Sequence, residues 1–481
     1  MKNCLYAGAI TAALAMTATF TAHAQVSIDS CRNMALRNNK ILKMADEAVK
    51  GAGYERKSAF AAYLPGIDFT GGYTYNQRQI ALLGEDAKLP TMSFDPATQT
   101  FKYNILTTPD GTPVTDPSTG GYIPTEVALI PKEAMTFDVH NVFAGAFTLT
   151  QPIFMGGMIK AMNDITKYAE NIAVATKNAA VQDVILGVDQ AYWGVVSLGE
   201  KKRLAESFVN LVDSLRFNVN AMLEQGIATR SDLLTVDVKL NEAKVMLTKV
   251  DNGLTLSRMA LAQICGLPVD SRLQLADEGG ADIATTVAPH SYNMEDVYAR
   301  RNDLEVVRQS INMLGSREKL AMGAMLPKVA AFGMYGFSNP NVINGFEKKF
   351  GGGFSVGATI TIPLWHWGQH YNHYRATKAT TNAQRLMLED LEEKINLQVS
   401  QATFSFNEAL KTYNTACSNM QSAEENLRSA QLAYREGLMT TDDVIAAQTA
   451  WLAANSEKID AQIAIRLCDV YLSKVLGTLG E

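Results

Sequence analysis

The sequence predicts a mixed α+β membrane protein built twice over. Each half supplies two transmembrane β-strands to a barrel that the chain cannot close alone, followed by a hairpin of helices far longer than a globular core requires. Three observations predict this. The chain repeats itself internally, its two long uncharged stretches alternate with period two, and its proline-free stretches outrun an ordinary helical bundle.

The duplication sets the frame. Ala62-Tyr63-Leu64-Pro65-Gly66-Ile67 resembles Ala324-Met325-Leu326-Pro327-Lys328-Val329, an offset of 262 that also aligns Asn39-Lys40-Ile41-Leu42 with Arg301-Asn302-Asp303-Leu304. Further on the offset becomes 211, matching Pro152-Ile153-Phe154 with Pro363-Leu364-Trp365, Gly157 with Gly368, and Gly266 with Gly477. The residues lost between the two offsets lie between Pro65 and Pro152, a segment holding seven of the 14 prolines, from Pro90 to Pro131. With Pro109-Asp110-Gly111 and Ser118-Thr119-Gly120-Gly121 it reads as a long surface loop.

Val139–Ile159 and Phe350–Tyr374 lack Asp, Glu, Lys and Arg for long enough to suggest membrane helices. Their period argues for strands instead. Phe350, Phe354, Val356, Ala358, Ile360, Ile362 and Leu364 alternate with Gly351, Gly353, Ser355, Gly357, Thr359 and Thr361. Residues 137–150 set Phe137, Val139, Phe143, Phe147 and Leu149 against Asp138, His140, Ala144, Thr148 and Thr150. Residues 67–76 set Ile67, Phe69, Tyr73 and Tyr75 against Asp68, Thr70, Thr74 and Asn76. A fourth strand, about 328–338, puts Phe332 and Met334 on the face intended to be polar. An apolar outer and a polar or tiny inner face suits a wet transmembrane barrel, although a half-buried sheet in a soluble domain alternates too. Four strands leave open edges that hydrocarbon does not tolerate, so several chains must share the barrel.

From Gly157 to Gly226, and again from Gly368 to Gly437, run 69 positions without proline, roughly 100 Å as one helix. The return limbs, Gly226 to Gly266 and Gly437 to Gly477, take 40 positions each, roughly 60 Å. Leu233, Val236, Leu240, Ala243, Leu247, Val250, Leu254 and Leu261 form a heptad seam interrupted only by Ser257. At the turns, Gly226 and Gly437 suit a left-handed helix terminus. Thr229 with Asp232, and Thr440 with Asp443, have the spacing of a capping box that restarts the next helix. Such caps are structural in any reading. Their repetition at a point so far from the strands also marks a tip that meets a partner.

Lys2, the apolar or small residues 5–22 and Ala22-His23-Ala24 form a secretory signal pattern with the mature chain starting at Gln25. A net charge of −6 and no basic block argue against nucleic acid. Cys31, Cys265, Cys417 and Cys468 form no C-x-x-C pair and read as buried helix cysteines rather than metal or redox sites. His366, His370 and His373 have spacings a metal would accept, but they stand at a strand-to-helix junction beside Trp365 and Trp367. Membrane-interface aromatics are the preferred reading, with no metal and no cofactor. Neither a nucleophile elbow nor a phosphate loop is present, and Asp442-Asp443 beside a helix start is explained by the backbone dipole, so no catalytic residue is assigned.

Together the G-x-x-T-x-x-D turns at Gly226–Asp232 and Gly437–Asp443, the strand-ending prolines Pro152 and Pro363, and the opening helix ending Ala35-Leu36-Arg37-Asn38-Asn39 resemble the TolC or outer membrane efflux protein family, over nearly all of the mature chain. The resemblance implies a homotrimer whose 12-stranded barrel, four strands per chain, sits in the outer-membrane lipid of a Gram-negative envelope and continues as a coiled-coil tunnel through the periplasm. It implies a passive exit duct of a tripartite efflux or type I secretion system, energised by an inner-membrane transporter through a periplasmic adaptor. On this plan residues 1–24 are the signal, 25–268 the first repeat with an extracellular loop about 79–135 and a tip at 224–232, 269–292 a connector, and 293–481 the second repeat with a short loop about 338–349 and a tip at 435–443. Gly226, Thr229, Asp232, Gly437, Thr440 and Asp443 become the adaptor contact. Tyr434, Asp232 and Asp443 match residues that latch the closed aperture in relatives. Met439 and Ala446 stand where relatives carry an Arg and a further Asp, and Arg230 offers an alternative cation. The contrasting expectation is a coiled-coil scaffold or adhesin anchored by a small barrel.

Overall fold

A computed structural model describes residues 25–271, 273–279 and 291–480. The signal segment lies outside these, as does much of the connector. The chain divides into two compact units, one gathering the residues up to Ala59 with Ala161–Lys319 and Asn372 onward, the other Phe60–Lys160 with Leu320–Tyr371.

The first unit is helical. Helices α1 (Ile28–Asn38) and α2 (Lys40–Ala61) precede the first hairpin, α3 (Met158–Glu224) and α4 (Arg230–Ile264). Helices α5 (Met294–Arg300) and α6 (Asn302–Gly323) precede the second, α7 (Gln369–Arg435) and α8 (Thr441–Val475). The long limbs are 67 residues each and the return limbs 35 each, the same in both copies. No described helix is long and apolar enough to cross a membrane. The heptad positions Val236, Leu240, Ala243, Leu254 and Leu261 are buried, and their counterparts on the outward limb include Val188, Val195, Phe208 and Leu215. This stripe of small and branched residues, packed along the hairpin, holds helices whose length alone would leave them isolated.

The duplication is visible in packing. Val184, Val188, Leu254 and Leu261 line one core and their equivalents Ile395, Val399, Ile465 and Leu472 line another. At the break between α1 and α2, the Asn39 amide donates to the carbonyl of Ile264 at 2.9 Å. At the equivalent break between α5 and α6, the Arg301 guanidinium donates to the carbonyl of Val475 at 3.0 Å. Different side chains thus satisfy the same orphan carbonyl at the end of each hairpin. In the first core the Arg32 guanidinium reaches in to the fully buried Asp189 and donates to both its oxygens at 2.8 and 2.6 Å.

The second unit centres on a four-stranded antiparallel sheet of β1 (Gly66–Tyr75), β2 (Asn141–Met155), β3 (Lys328–Asn339) and β4 (Gly351–Thr361), in that order. Among the described residues β1 and β4 each have one neighbour, so both edges of the sheet are open. Register places Phe69 opposite Phe147, Phe147 opposite Tyr335, and Tyr335 opposite Phe354. One face is therefore apolar across all four strands, and its large side chains stand exposed: Ile67, Phe69, Tyr73, Phe147, Tyr335, Phe354, Val356 and Ile360. The other carries Asp68, Thr70, Thr148, Ser355, Gly357 and Thr359. Phe332, the misplaced aromatic of the fourth strand, does lie on that small face. Its ring lies over Gly357, where a Cβ would come within 2.8 Å of it. The missing side chain of one strand makes room for the aromatic of the next.

Three sequence expectations change. Pro152 does not end its strand: β2 runs on to Met155, paired with β3 alone once β1 has stopped at Gly66 opposite Thr150. The register shifts between Pro152 and Phe154, leaving Ile153 as a bulge, which is how a strand with a single neighbour tolerates proline. Second, β2 starts at Asn141 rather than near 137, because Thr136–Phe137 pairs separately with Ile80–Ala81. Third, the long loop is itself a stack of short antiparallel ladders, Ala87–Pro90 with Val127–Ile130 and Met92–Asp95 with Thr100–Tyr103. At its base Asp138 accepts from the Lys348 ammonium at 2.6 Å, tying the first outer loop to the second. Of the cysteines, Cys31 and Cys265 are buried, whereas Cys417 and Cys468 are only half-buried on their helices.

Candidate functional site

Each hairpin reverses through the same device. Helix α3 closes with Gly226 at φ 77°, its N–H donating to Leu223 O and the Ile227 N–H reaching back to Met222 O, both at 2.9 Å. Helix α7 closes with Gly437 at φ 74°, with Gly437 N–H to Tyr434 O at 3.0 Å and Leu438 N–H to Ala433 O at 2.9 Å. This paired bonding across a left-handed residue is a Schellman termination, which glycine adopts without a Cβ penalty. Two residues on, the next helix starts. Thr229 Oγ1 accepts from the Asp232 N–H at 3.2 Å while the Thr229 N–H donates to Asp232 Oδ2 at 2.8 Å. Thr440 and Asp443 repeat this at 3.3 and 3.0 Å. Both are complete capping boxes.

The threonine hydroxyls also donate to those carboxylates, at 2.8 and 2.7 Å. The Thr229 N–H and then its hydroxyl hold Asp232 below the ordinary carboxylate value, and the Thr440 hydroxyl and then its N–H do so for Asp443. The two acids are thus occupied within their own turns. Tyr434 lies elsewhere. It is 8% exposed, packed with Phe208, Val212, Val236 and Val444 in a core to which both hairpins contribute. Its hydroxyl lies 3.4 Å from Met222 Sδ and 3.3 Å from Thr441 Oγ1. Arg230 is exposed and has no carboxylate oxygen within 4.0 Å among the described residues. The duplication aligns it with Thr441, not with Met439. Within one chain, then, the structure brings each Thr–Asp pair together and leaves Tyr434 and Arg230 apart from them.

Two tip residues escaped the sequence reading. Ile227 and Leu438 occupy equivalent positions just past the glycines and are 66% and 80% exposed. A large apolar residue repeated at a solvent-facing turn was the signal that could have found them. At the strand-to-helix junction the Trp365 and Trp367 rings stand edge to face, 5.8 Å apart, and both are exposed. Trp367 has φ 49° and Gly368 φ 77°, where the first copy has Gly156 at 62° and Gly157 at 77°. A tryptophan held in a left-handed conformation that the other copy gives to glycine carries roughly 1–2 kcal/mol of strain. The His366 and His370 rings are 4.6 Å apart. No group of three His, Cys, Asp or Glu placed to hold a metal occurs among the described residues.

An open-edged sheet with an apolar outer face and doubled, capped helical hairpins of this length defines a segment of an envelope-spanning duct. The sequence matches the outer membrane efflux protein family over residues 132–267 and 293–478, and the chain belongs to that family. Among solved structures the fold is similar to CusC (14% identity, TM-score 0.74, covering 94% of this chain and 92% of that one). It is similar also to the CmeC outer membrane channel of Campylobacter jejuni (16%, 0.70, covering 94% and 85%) and to the open state of the MtrE outer membrane channel of Neisseria gonorrhoeae (16%, 0.70, covering 94% and 89%). No curated protein sequence matches the chain. The fold is the family's: transmembrane strands that complete a trimeric barrel and helices that form a tunnel on its periplasmic side. The chain is an outer-membrane efflux channel of a Gram-negative envelope, from a family of transport ducts rather than catalysts.

Proposed function

We propose that three copies of this chain close one barrel and one tunnel, and that the duct receives its cargo from an inner-membrane transporter through a periplasmic adaptor seated on the hairpin tips. The observation that carries the assembly is the pair of open sheet edges beside an exposed aromatic face. In hydrocarbon every strand edge must be paired, and only further copies of β1 and β4 supply matching partners. Family membership supports the adaptor and the transporter, since outer membrane efflux proteins are homotrimers working with both. The tip assignment is supported by the twofold recurrence of Gly226, Thr229 and Asp232 as Gly437, Thr440 and Asp443, and by the exposed Ile227 and Leu438 beside them. Rigid caps present two apolar side chains at fixed positions, as a helical partner needs. Trp365 and Trp367 serve as the interface belt. The closed aperture is held by the packing around Tyr434, with Asp232, Asp443 and Arg230 lining it.

Light scattering of the detergent-solubilised protein should return three times the 52.4 kDa chain mass or slightly less, once the signal is removed. A monomer that needs no detergent would sink the assembly. For the tips, photo-crosslinking residues at Ile227 and Leu438 should capture a periplasmic protein in intact cells. Capture only from the outer loop at 79–135 would reverse the orientation.

A further inference from the structure

We propose that Cys31 and Cys265 are joined by a disulfide in the mature protein, fastening α1 to the end of α4. Both residues are fully buried in one cluster, with Ala35, Leu261 and Ala262 around them. The Cys265 Sγ lies 3.7 Å from the backbone carbonyl of Cys31, so the two residues meet in the same gap between α1 and the end of α4. Contact with the Cys265 thiol, then burial, holds the Cys31 thiol far above its ordinary value. The same contact holds the Cys265 thiol below its ordinary value.

The duplication supplies a second, independent observation. At the offsets that align the copies, Cys31 corresponds to Asn293 and Cys265 to Leu476. The second copy thus lacks both sulfurs and the first has both. These two positions are far apart in sequence and touch in the fold, and only the first copy carries sulfur at both. The helices of an outer-membrane efflux channel stand in the periplasm, a compartment that oxidises thiols.

The step is a thiol–disulfide exchange. Two S–H bonds break and one S–S bond forms. The two protons and two electrons pass to the active-site disulfide of a periplasmic thiol oxidoreductase, which leaves as a dithiol. Because neither sulfur is exposed in the folded chain, the exchange happens before α1 has packed. The bond then closes a loop of 234 positions and fixes the N-terminal helix to the first hairpin.

The test uses the full protein from isolated outer membranes, denatured without reductant in N-ethylmaleimide. Two adducts per chain are expected, on Cys417 and Cys468. Trypsin should release a product joining the peptide that ends at Arg32 to Met259–Arg272, and reduction should split it. A Cys31→Ala variant should take three adducts, the third on Cys265. Four adducts on the unmutated chain, or a linked product involving Cys417 or Cys468, would overturn the proposal.

Discussion

The position of Tyr434 yields the sharpest prediction, because a hydroxyl latch and a packed ring fail differently. Among the described residues its hydroxyl meets a thioether at 3.4 Å and a threonine oxygen at 3.3 Å. The first is a weak acceptor and the second is well beyond the usual O–H···O length, so their loss should cost less than about 1 kcal/mol. The residue is only 8% exposed, its ring packed among apolar side chains of both hairpins. Truncation to alanine leaves a cavity at a cost of roughly 3–5 kcal/mol. If local loosening of the tips opens the aperture, Tyr434→Phe should raise the open population less than about fivefold. Tyr434→Ala should raise it at least about a hundredfold. Single-channel recording in planar bilayers reads the two directly, and protease cleavage near Gly226 and Gly437 gives a second measure. A phenylalanine variant as leaky as the alanine variant would refute the packing account and restore a hydroxyl latch.

Three further outcomes follow from the geometry. The carboxyls of Asp232 and Asp443 are depressed below 3.8, so the stability they lend is complete above that value and lost as pH falls through their lower folded pKa. Hydrogen exchange at the two turns, corrected for intrinsic rate, should be flat from pH 7 to about 5, and loss of protection by pH 5 would contradict the capping assignment. Arg32→Ala leaves the fully buried Asp189 carboxylate without its cation and should destabilise the first hairpin by roughly 3–5 kcal/mol, whereas replacing both residues with leucine should recover most of it in denaturant melts. Gly357→Val drives a Cβ into the Phe332 ring and should lower the yield of heat-resistant oligomer on gels, with Phe332→Ala restoring it.

Local signals carried most of the fold. Proline-free length, the heptad seam and a glycine–threonine–aspartate turn each specify their own segment, and so the helix limits and both caps were legible. Alternation did the same for the strands. What escaped depended on partners distant in the chain. Whether Pro152 ends a strand is decided by where β1 stops, not by the proline. The ladder of Ala87–Pro90 needs Val127–Ile130, and nothing within either segment names the other. Nothing in the neighbourhood of Tyr434 along the chain signals that Met222 and Val236 of the first hairpin pack around it. The Arg32–Asp189 pair spans 157 positions and leaves no trace in either neighbourhood.

The departures from symmetry are informative because the scaffold is so closely repeated. Limbs of 67 and 35 residues in both copies, closed by the same turn, let the two hairpins pack as equivalent staves. A change confined to one copy therefore cannot be a requirement of stave packing. The copies differ where each meets something the other does not. The first carries the long outer ladder and, near its N-terminal helix, the Arg32–Asp189 ion pair and the cysteines that anchor the start of the chain. The second accepts a strained tryptophan at the strand-to-helix turn, where the first uses glycine under a close backbone approach from Gly323. Relieving that strain with Trp367→Gly should leave the helices unchanged. If the indole is an anchor, it should weaken the oligomer's hold on lipid, read as earlier extraction in a detergent series. Unchanged extraction would leave the strain without a purpose at the membrane.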